Sequence, residues 1–454
     1  MIEPHGPRAE GIIQRDCSII SPCLSRPYPL VIERARGATI TDVDGKTYID
    51  LGAGTAVMNV GYSNPEVSAA ITAQLEKITH GDFSTFFADP PVRLAERLGQ
   101  LTGYDRVFFS NSGTESVEAA IKLAMWKLDR QSLIGFYGAF HGRTLGALSL
   151  TCSKIKHKVH YPTIRVVHAH YGYCYRCPLH LEYPDCGIAC ARQIETLIFK
   201  KELSPNDTAA IVVEPIQGEG GYIVPPPEFH REIRRICDEN GILMVADEVQ
   251  SGCYRTGTFM AMEHFGVRAD IVCMAKALGA GLPLGATLSS SSIMDWPPGT
   301  HSNTFGGNLL ASAAALAALQ FMEKEELGTR AKQLGDHVMT RLRELQSWYP
   351  AAIGDVRGLG LMIGVEIVKP DGSIDPDTRD RIVVEGFKAG VVLLPCGDSV
   401  IRFCPPLVIT KEEADTGLER FEAALKKVFA CVLSGSNNTY NRCGEGDSEL
   451  VHVF

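Results

Sequence analysis

The strongest constraint on this chain lies near its middle, where two apolar runs flank one amphipathic segment. The runs are AAIVVEP (209–215) and ILMVADE (242–248), and the segment PEFHREIRRICDENG (227–241) between them has helical spacing and ends at a glycine. Strands that are apolar on both faces are typical of a buried parallel sheet, and a helix between two of them forms a right-handed crossover. The segment therefore predicts a β-α-β unit and an α/β fold.

Two further segments extend this pattern into a large domain. RVFF (106–109) indicates a strand that leads into a helix at Ser112, which stands at capping-box spacing from Glu115. ADIVCMAK (269–276) indicates another apolar strand, and this one ends in a lysine. We expect a large α/β domain over residues 64–310, a smaller domain over 311–432 and a mobile tail over 433–454, which is rich in Ser, Asn and Gly.

Composition argues against several classes of function. The chain has 454 residues, of which 45% are apolar and 21% charged, as in folded globular proteins. Its formal net charge of -9 argues against nucleic acid as the main partner. The start, MIEPHGPRAEG, has no apolar signal core, and LLASAAALAALQFM (309–322) is shorter than the ~20 residues of a membrane span. We therefore expect a cytoplasmic protein with no membrane partner.

The chemistry is indicated by a lysine and an aspartate at strand ends. Lys276 is the only charged residue between Ile271 and Met294, and Asp247 ends the buried strand ILMVA. Partial burial lowers the pKa of a lysine and frees the neutral amine that forms Schiff bases. Each residue alone has a simpler explanation: a lysine that reaches solvent, and an aspartate in a cap or salt bridge. Ligands of parallel sheets bind outside the carboxyl ends of strands, so the two together indicate a site.

Pyridoxal phosphate requires this pair of side chains. Its aldehyde forms an imine with a lysine, and an aspartate keeps its ring nitrogen protonated so that the ring can accept electrons. The residues Ser112-Gly113-Thr114 begin a predicted helix, whose free N–H groups and dipole suit a phosphate. Taken alone, this triplet is better explained as an ordinary helix cap.

Seven ordered motifs make the chain resemble a known family, over roughly residues 25 to 430. They are NSGTE (111–115), FHGRT (140–144), EPIQGEGGY (214–222), DEVQSGCYRTG (247–257), AKALGAGLPLGA (275–286), TFGGN (304–308) and RFCPP (402–406). The sequence resembles the class III aminotransferases of fold type I, the group of 4-aminobutyrate and ornithine aminotransferases. The resemblance implies a large domain with a mostly parallel central sheet flanked by helices, and a smaller α+β domain with which residues 1–63 pack.

The resemblance also implies a role for each matching residue. Lys276 and Asp247 would be catalytic, Lys276 as the imine-forming amine and proton shuttle and Asp247 as the partner of the pyridinium nitrogen. Phe140 and Val249 would pack on the two ring faces, and Gln250 would bind the phenolic oxygen. The complete set implied to bind pyridoxal 5'-phosphate is Ser112, Gly113, Thr114, Phe140, His141, Glu214, Asp247, Val249, Gln250, Lys276 and Thr304 of the partner subunit in a homodimer or higher oligomer.

Substrate binding is implied for two arginines and one glutamate. Arg402 would bind an α-carboxylate through its guanidinium fork, and Glu219 would pair with Arg402 when that carboxylate is absent. Arg143 would bind the carboxylate of 4-aminobutyrate or the side-chain carboxylate of glutamate. The expected reaction moves an amino group from an ω-amine such as 4-aminobutyrate, ornithine or lysine to 2-oxoglutarate by a ping-pong mechanism. Thr55, at a pocket position, and Leu309, after TFGGN, depart from the family pattern and leave the exact donor open.

Two other functions remain alternatives at this stage. The first is an amino-acid racemase on the same scaffold. In such an enzyme Lys276 would transfer the proton on one face of the ring, and a water or an acid such as Glu219 would transfer it on the other. The second is a catalytically silent regulatory or scaffold protein, against which the intact Lys276 and Asp247 argue.

One cluster of cysteines has no counterpart in these motifs. The segment YGYCYRCPLHLEYPDCGIAC (171–190), called the cysteine loop below, contains Cys174, Cys177, Cys186 and Cys190 in the pattern C-x2-C-x8-C-x3-C. Both outer pairs have the spacing of zinc ligands, and a loop of free thiols is the alternative. We assign no metal ligand to the catalytic site and expect this loop to lie away from the catalytic motifs.

Overall fold

The structure is a computed structural model, and it describes residues 6–433. The strands are β1 (Ile32–Arg36), β2 (Thr39–Asp42), β3 (Thr47–Asp50), β4 (Arg106–Ser110), β5 (Ser132–Phe136), β6 (Val166–Ala169), β7 (Thr208–Val213), β8 (Leu243–Asp247), β9 (Ile271–Met274), β10 (Gly285–Ser289), β11 (Ile353–Leu359), β12 (Met362–Ile367), β13 (Val391–Val392), β14 (Leu394–Cys396) and β15 (Val400–Phe403).

The helices lie before, between and after these strands. They are α1 (Pro7–Ile19), α2 (Ala53–Ala56), α3 (Pro65–Leu75), α4 (Asp89–Thr102), α5 (Gly113–Leu128), α6 (Leu145–Leu150), α7 (Ala189–Gln193), α8 (Phe199–Lys201), α9 (Pro227–Asn240), α10 (Leu309–Lys324), α11 (Leu327–Trp348), α12 (Pro376–Lys388) and α13 (Lys411–Leu433).

The central sheet has seven strands in the order β4-β10-β9-β8-β7-β5-β6. Strands β9, β8, β7, β5 and β6 pair in parallel, so the mostly parallel sheet that the sequence predicts is confirmed. Every residue of β5, β7 and β9 is buried, which explains their continuous apolar sequence. Strand β10 runs antiparallel to β9 and β4, and it was not predicted because its sequence, GATLS, contains only two apolar side chains, those of Ala286 and Leu288.

This topology collects several loops at one edge of the sheet. Strands β5, β7, β8 and β9 are parallel, and β4 has the same direction because two antiparallel pairings separate it from β9. The carboxyl ends of all five strands therefore face the same way. They are followed by the segments that contain Ser112, Phe140, Glu214, Asp247 and Lys276.

Two smaller sheets lie outside the central one. The first is antiparallel, in the order β11-β12-β15-β14, and helices α11 and α12 pack against it. The second has the order β1-β2-β3-β13, and in it Val391 pairs in parallel with Ile49. Residues from the two ends of the chain thus share one sheet.

The C-terminal helix begins as its sequence predicts. The Thr410 side chain accepts a hydrogen bond from the Glu413 amide at 3.1 Å, and the Glu413 side chain accepts one from the Thr410 amide at 2.9 Å, which forms a capping box. The predicted mobile tail, residues 433–454, lies outside the described residues except for its first residue, Leu433, which ends helix α13. Between residues 6 and 433, no helix is both long and apolar enough to cross a membrane.

One fully buried arginine links three parts of the chain. Arg255 Nη1 donates to the carbonyls of Leu361 at 3.1 Å and Pro405 at 2.6 Å, and Nη2 donates to the Asn59 side chain. Its accessible fraction is 0%. Burial lowers the pKa of the Arg255 guanidinium, because a charge removed from water is costly. The three hydrogen bonds offset this cost.

We expect Arg255→Met to lower the free energy of unfolding by about 3–5 kcal/mol, because it leaves three buried acceptors without a donor. Chemical denaturation followed by circular dichroism measures the effect. The control is Arg93→Met, at an exposed i,i+4 ion pair, which should change stability by less than ~0.5 kcal/mol. Equal effects of the two substitutions would contradict the role given to Arg255.

Candidate active site

Lys276 lies directly after the carboxyl end of β9, next to the end of β8. It is partly buried, and its φ of 46° is left-handed, a conformation that costs free energy in a residue with a side chain. Burial lowers the pKa of the Lys276 amine, the nearby Asp247 carboxylate opposes this, and the Arg402 guanidinium adds to it. The sequence prediction of a partly desolvated lysine beside an aspartate agrees with this geometry.

Asp247 is held on both of its oxygens. Oδ1 accepts the Val249 amide at 3.0 Å, and Oδ2 lies 2.7 Å from Nδ1 of His141. Burial would lower the pKa of His141, but the hydrogen bond and charge of Asp247 more than offset it, so this pKa lies above its ordinary value. His141 is buried and its Nε2 has no hydrogen-bond partner. The two hydrogen bonds fix the position of the Asp247 carboxyl group at the sheet edge.

The N-terminus of helix α5 forms a narrow cradle at the same edge. The Ser112 side chain accepts the Glu115 amide at 3.3 Å, as predicted, while the Glu115 carboxylate binds Asn111 instead of completing the box. A Cβ on Gly113 would lie 2.7 Å from Cγ1 of Val249, so only glycine fits there. The first amides of the helix, including those of Gly113 and Thr114, have no acceptor within it. They are available to an anion.

Phe140 and Arg143 lie in the loop after β5. The Phe140 ring is partly exposed, and the Arg143 guanidinium carbon lies 5.1 Å from its centroid. Arg143 itself is exposed. The Phe140 amide donates to Oε1 of Glu214 at 3.0 Å, which fixes the ring relative to β7.

Glu214 connects two loops of the site. Its Oε1 accepts the Phe140 amide and its Oε2 accepts the Gly218 amide at 2.8 Å. Burial raises the pKa of the Glu214 carboxyl to about 7, although the nearby His141 lowers it in part. Its oxygens are therefore engaged with loop amides, which makes Glu214 a residue that holds the site together.

Gln250 follows the Asp247 strand end and points toward the same region. The buried Tyr222 hydroxyl donates to Oε1 of Gln250 at 2.7 Å. Tyr222 ends the EPIQGEGGY motif, and the sequence analysis assigned it no role. Its hydrogen bond fixes the orientation of the Gln250 amide.

Arg402 and Glu219 meet although 183 positions separate them. Arg402 Nη2 donates to Oε2 of Glu219 at 3.2 Å and to the Pro395 carbonyl at 3.0 Å. The Nε and Nη1 atoms of Arg402 are buried without a hydrogen-bond partner. Buried donors of this kind are normally satisfied, so they indicate a position for a carboxylate ligand. We call Glu219 and Arg402 the carboxylate gate.

Lys154 is a member of this site that the sequence analysis missed. Its Nζ lies 3.8 Å from Oε1 of Glu219, on the side away from Arg402. Glu219 therefore has a cation near each oxygen. Lys154 lies in an irregular segment after helix α6, where no motif or periodicity marks it.

The geometry agrees with what the chain is similar to. Residues 21–425 match the family model "Aminotransferase class-III". The chain belongs to the class III aminotransferases. It is 40% identical to an acetylornithine aminotransferase of Methanosarcina acetivorans, over 93% of this chain and 99% of that protein. It is 38% identical to a leucine/methionine racemase of Thermococcus litoralis, over 93% and 96%.

Solved structures show the same fold. The ornithine aminotransferase of Toxoplasma gondii has a TM-score of 0.82 to this enzyme at 30% identity, covering 93% of this chain and 95% of that one, and its active site contains pyridoxal phosphate at partial occupancy. The enzyme is therefore a transaminase dependent on pyridoxal phosphate, as the motifs predict. The predicted α/β fold with a second α+β part is likewise confirmed.

The residues present fit this cofactor. Lys276 offers an amine of lowered pKa, and Asp247 offers a carboxyl group held by two hydrogen bonds, which would pair with the ring nitrogen. The Gly113 cradle, too close to Val249 for any side chain, lets a phosphate approach the helix amides. Phe140 and Val249 would hold the ring faces, and Gln250 the phenolic oxygen. These individual roles stay proposals.

Thr304 and the four cysteines of the cysteine loop lie outside this group of contacts, although Tyr171 at the start of that loop donates to the Glu214 and Pro215 carbonyls at 2.9 and 3.0 Å. Thr304 is exposed in the segment before helix α10, so its contact with the phosphate of a partner subunit stays a prediction. The four thiols of Cys174, Cys177, Cys186 and Cys190 are free and line one small cavity. Burial raises the pKa of Cys190 to about 12. Among the described residues, no group of three or more His, Cys, Asp or Glu is placed to hold a metal ion.

We expect Gly113→Ala to weaken the affinity of the apo-enzyme for pyridoxal phosphate about ten-fold or more, because the added methyl displaces Val249 or the helix amides. Absorbance titration with the cofactor measures this. Gly11→Ala is the control, because a Cβ there meets nothing within 4 Å. An unchanged affinity in Gly113→Ala would show that the cradle does not hold the phosphate.

Proposed function

We propose that this aminotransferase takes the amino group of an ω-amine donor, of the 4-aminobutyrate, ornithine or lysine kind, and passes it to 2-oxoglutarate in a ping-pong reaction. The observation that carries the proposal is the carboxylate gate. Glu219 neutralises the buried Arg402 while two other nitrogen atoms of Arg402 remain without partners. When closed, such a pair accepts donors whose reacting carbon has no carboxylate, and when Glu219 moves aside it accepts acids whose reacting carbon has one.

The two arginines suit the two halves of the reaction. Arg402 would bind the α-carboxylate of 2-oxoglutarate, and Arg143, placed over Phe140, would bind its distal carboxylate. The donor would use Arg143 alone for its carboxylate and leave Arg402 paired with Glu219. Lys154, on the far side of Glu219, offers a second cation toward which the carboxylate can turn.

Lys276 performs the proton transfers. Pyridoxal phosphate, when bound, supplies an aldehyde that accepts the amine and a ring that takes up electrons from the neighbouring carbon. Because the pKa of Lys276 is lowered, its Nζ is able to take the proton from the carbon that bears the substrate amine. Asp247, fixed by His141 and by the Val249 amide, keeps its charge where the ring nitrogen would lie.

A homodimer is part of the proposal. Phe305, next to Thr304, is 59% exposed and contacts the His80 ring at a centroid distance of 5.1 Å. Phe86 and Phe87, which line a cavity together with His80, are 65% and 103% exposed. Apolar surface of this extent favours a protein contact. A second copy that covers it would bring Thr304 against the neighbouring active site, and sedimentation velocity at micromolar concentration tests the assembly.

Racemisation at Cα is the second candidate, because the racemase of Thermococcus litoralis is 38% identical over nearly the whole chain. Lys276 would then serve one face of the substrate carbon, and an acid such as Glu219 or a water would serve the other. A racemase exchanges the Cα proton without keeping the amino group on the cofactor.

We expect a half-reaction in heavy water to distinguish the two functions. The holoenzyme is mixed with 4-aminobutyrate, ornithine or lysine without a keto acid, and the visible cofactor band and deuterium at Cα are followed together. Loss of the band in a single turnover, with a new carbonyl in the product, is the expected result. A persistent band, with Cα exchange and loss of optical purity in an α-amino acid, would assign the enzyme as a racemase.

We expect Lys276→Ala to abolish turnover while the protein still folds and binds the cofactor noncovalently, because no other amine replaces the proton carrier. Steady-state assays and the visible spectrum measure these two properties. Lys324→Ala, at an exposed ion pair, is the control that should keep full activity. Steady-state turnover retained in Lys276→Ala would refute the role of this residue.

A further inference from the structure

The segment Glu219–Gly221, which contains the acid of the carboxylate gate, lies directly on the antiparallel sheet. A Cβ on Gly364 of β12 would lie 3.1 Å from both the Gly221 carbonyl oxygen and Cβ of Tyr222. Gly364 pairs with Arg357 of β11 on one side and with Arg402 of β15 on the other. Side chains of directly paired residues lie on the same face of a sheet, so the two arginines flank the segment, and Gly364 leaves the space for it.

Arg357 holds the end of this segment. Its Nε and Nη2 both donate to the Gly221 carbonyl, at 3.1 and 2.8 Å, and its Nη1 binds Asp355 and Glu366, each at 2.8 Å. The side chain is only 10% exposed. At the other end, the Gly397 amide donates to the Glu219 carbonyl at 2.7 Å. The backbone that bears the Glu219 carboxylate is thus fixed at both ends.

Glu366 in turn is held by the cysteine loop. The Tyr173 hydroxyl and Arg176 Nε both bind its carboxylate, which is 2% exposed. The Arg357 guanidinium carbon also lies 4.9 Å from the centroid of the Tyr173 ring. The loop therefore reaches the EPIQGEGGY segment through Glu366 and Arg357, in contrast to the separation from the catalytic motifs that its sequence position predicts.

We infer that Arg357 and Glu366, supported by Tyr173 and Arg176 of the cysteine loop, are positioning residues that set the donor preference of the enzyme by fixing Glu219 against Arg402. The inference rests on the proposed function, in which ω-amine donors need the gate closed. When the segment is loosened, Glu219 pairs less well with Arg402. The kcat/KM for an ω-amine then falls. The kcat/KM for an α-amino acid, whose carboxylate displaces Glu219, changes little.

Two substitutions loosen the segment without touching the gate. Arg357→Lys keeps the charge but loses the planar fork that binds a carbonyl and two carboxylates at once. Tyr173→Phe removes only the hydroxyl that binds Glu366. Arg235→Lys is the matched control, because Arg235 also binds several carboxylates but does so on the exposed face of helix α9.

The experiment compares single-turnover half-reactions of the holoenzymes. The donors are 4-aminobutyrate and 5-aminovalerate, which lack an α-carboxylate, and L-glutamate, which has one. For Arg357→Lys we expect the ratio of kcat/KM for the ω-amines to that for L-glutamate to fall about ten-fold, the effect of losing one charge-assisted hydrogen bond. A smaller fall in the same direction is expected for Tyr173→Phe, with no change for Arg235→Lys and an unchanged or lower KM for L-glutamate.

Equal losses for both donor classes would indicate a merely structural role and overturn the inference, as would unchanged ratios in both variants. Where Arg357→Lys does not fold, the ratio in Tyr173→Phe decides by the same criteria. Failure of the proposed function is recognised separately, since the wild-type enzyme would then react neither with these two ω-amines nor with the distal amine of ornithine or lysine.

Discussion

Charges that are removed from water must be paired, and this requirement organises the active site. Lys276, Asp247, Glu214, Glu219 and Arg402 all lie at or near the edge where the parallel strands end. An unpaired charge there would cost several kcal/mol. Asp247 binds His141 and an amide, Glu214 binds two amides, and Glu219 binds Arg402. Two nitrogen atoms of Arg402 have no partner, and we propose that a substrate carboxylate completes their pairing.

The second constraint is the close approach of the backbone around Glu219 to the groups on either side of it. The motif around Glu219 contains Gly218, Gly220 and Gly221, and a Cβ at any of them would lie within about 3 Å of a neighbouring group. At Gly220 the obstacle is the Gly138 carbonyl at 2.8 Å, and at Gly221 it is Arg357 at 3.1 Å. These glycines allow the gate segment to pass between the central sheet and the antiparallel one. A residue with a side chain would separate the two layers.

The sequence predicted those features that depend on local pattern. Continuous apolar runs indicated β7, β8 and β9, and the parallel direction then placed Asp247 beside Lys276. Arg402 and Glu219 required the family resemblance, because 183 positions separate them. Lys154, Tyr222 and the contact of Arg357 with Gly221 were missed, since each depends on how distant segments pack and none has a periodicity of its own. The two interpretations of the cysteine loop, zinc ligands or free thiols, likewise rested on the spacing of its cysteines. That spacing does not show which surface the loop covers.

The pairing of Val391 with Ile49 has a consequence for how the protein is made. During synthesis, β1, β2 and β3 leave the ribosome long before the strand that completes their sheet. Until then, the edge of β3 has unpaired backbone groups, a state that favours association with other chains. The central sheet therefore has its complete sequence before β13 is made, whereas the edge of β3 gains its partner only after residue 391 has been synthesised.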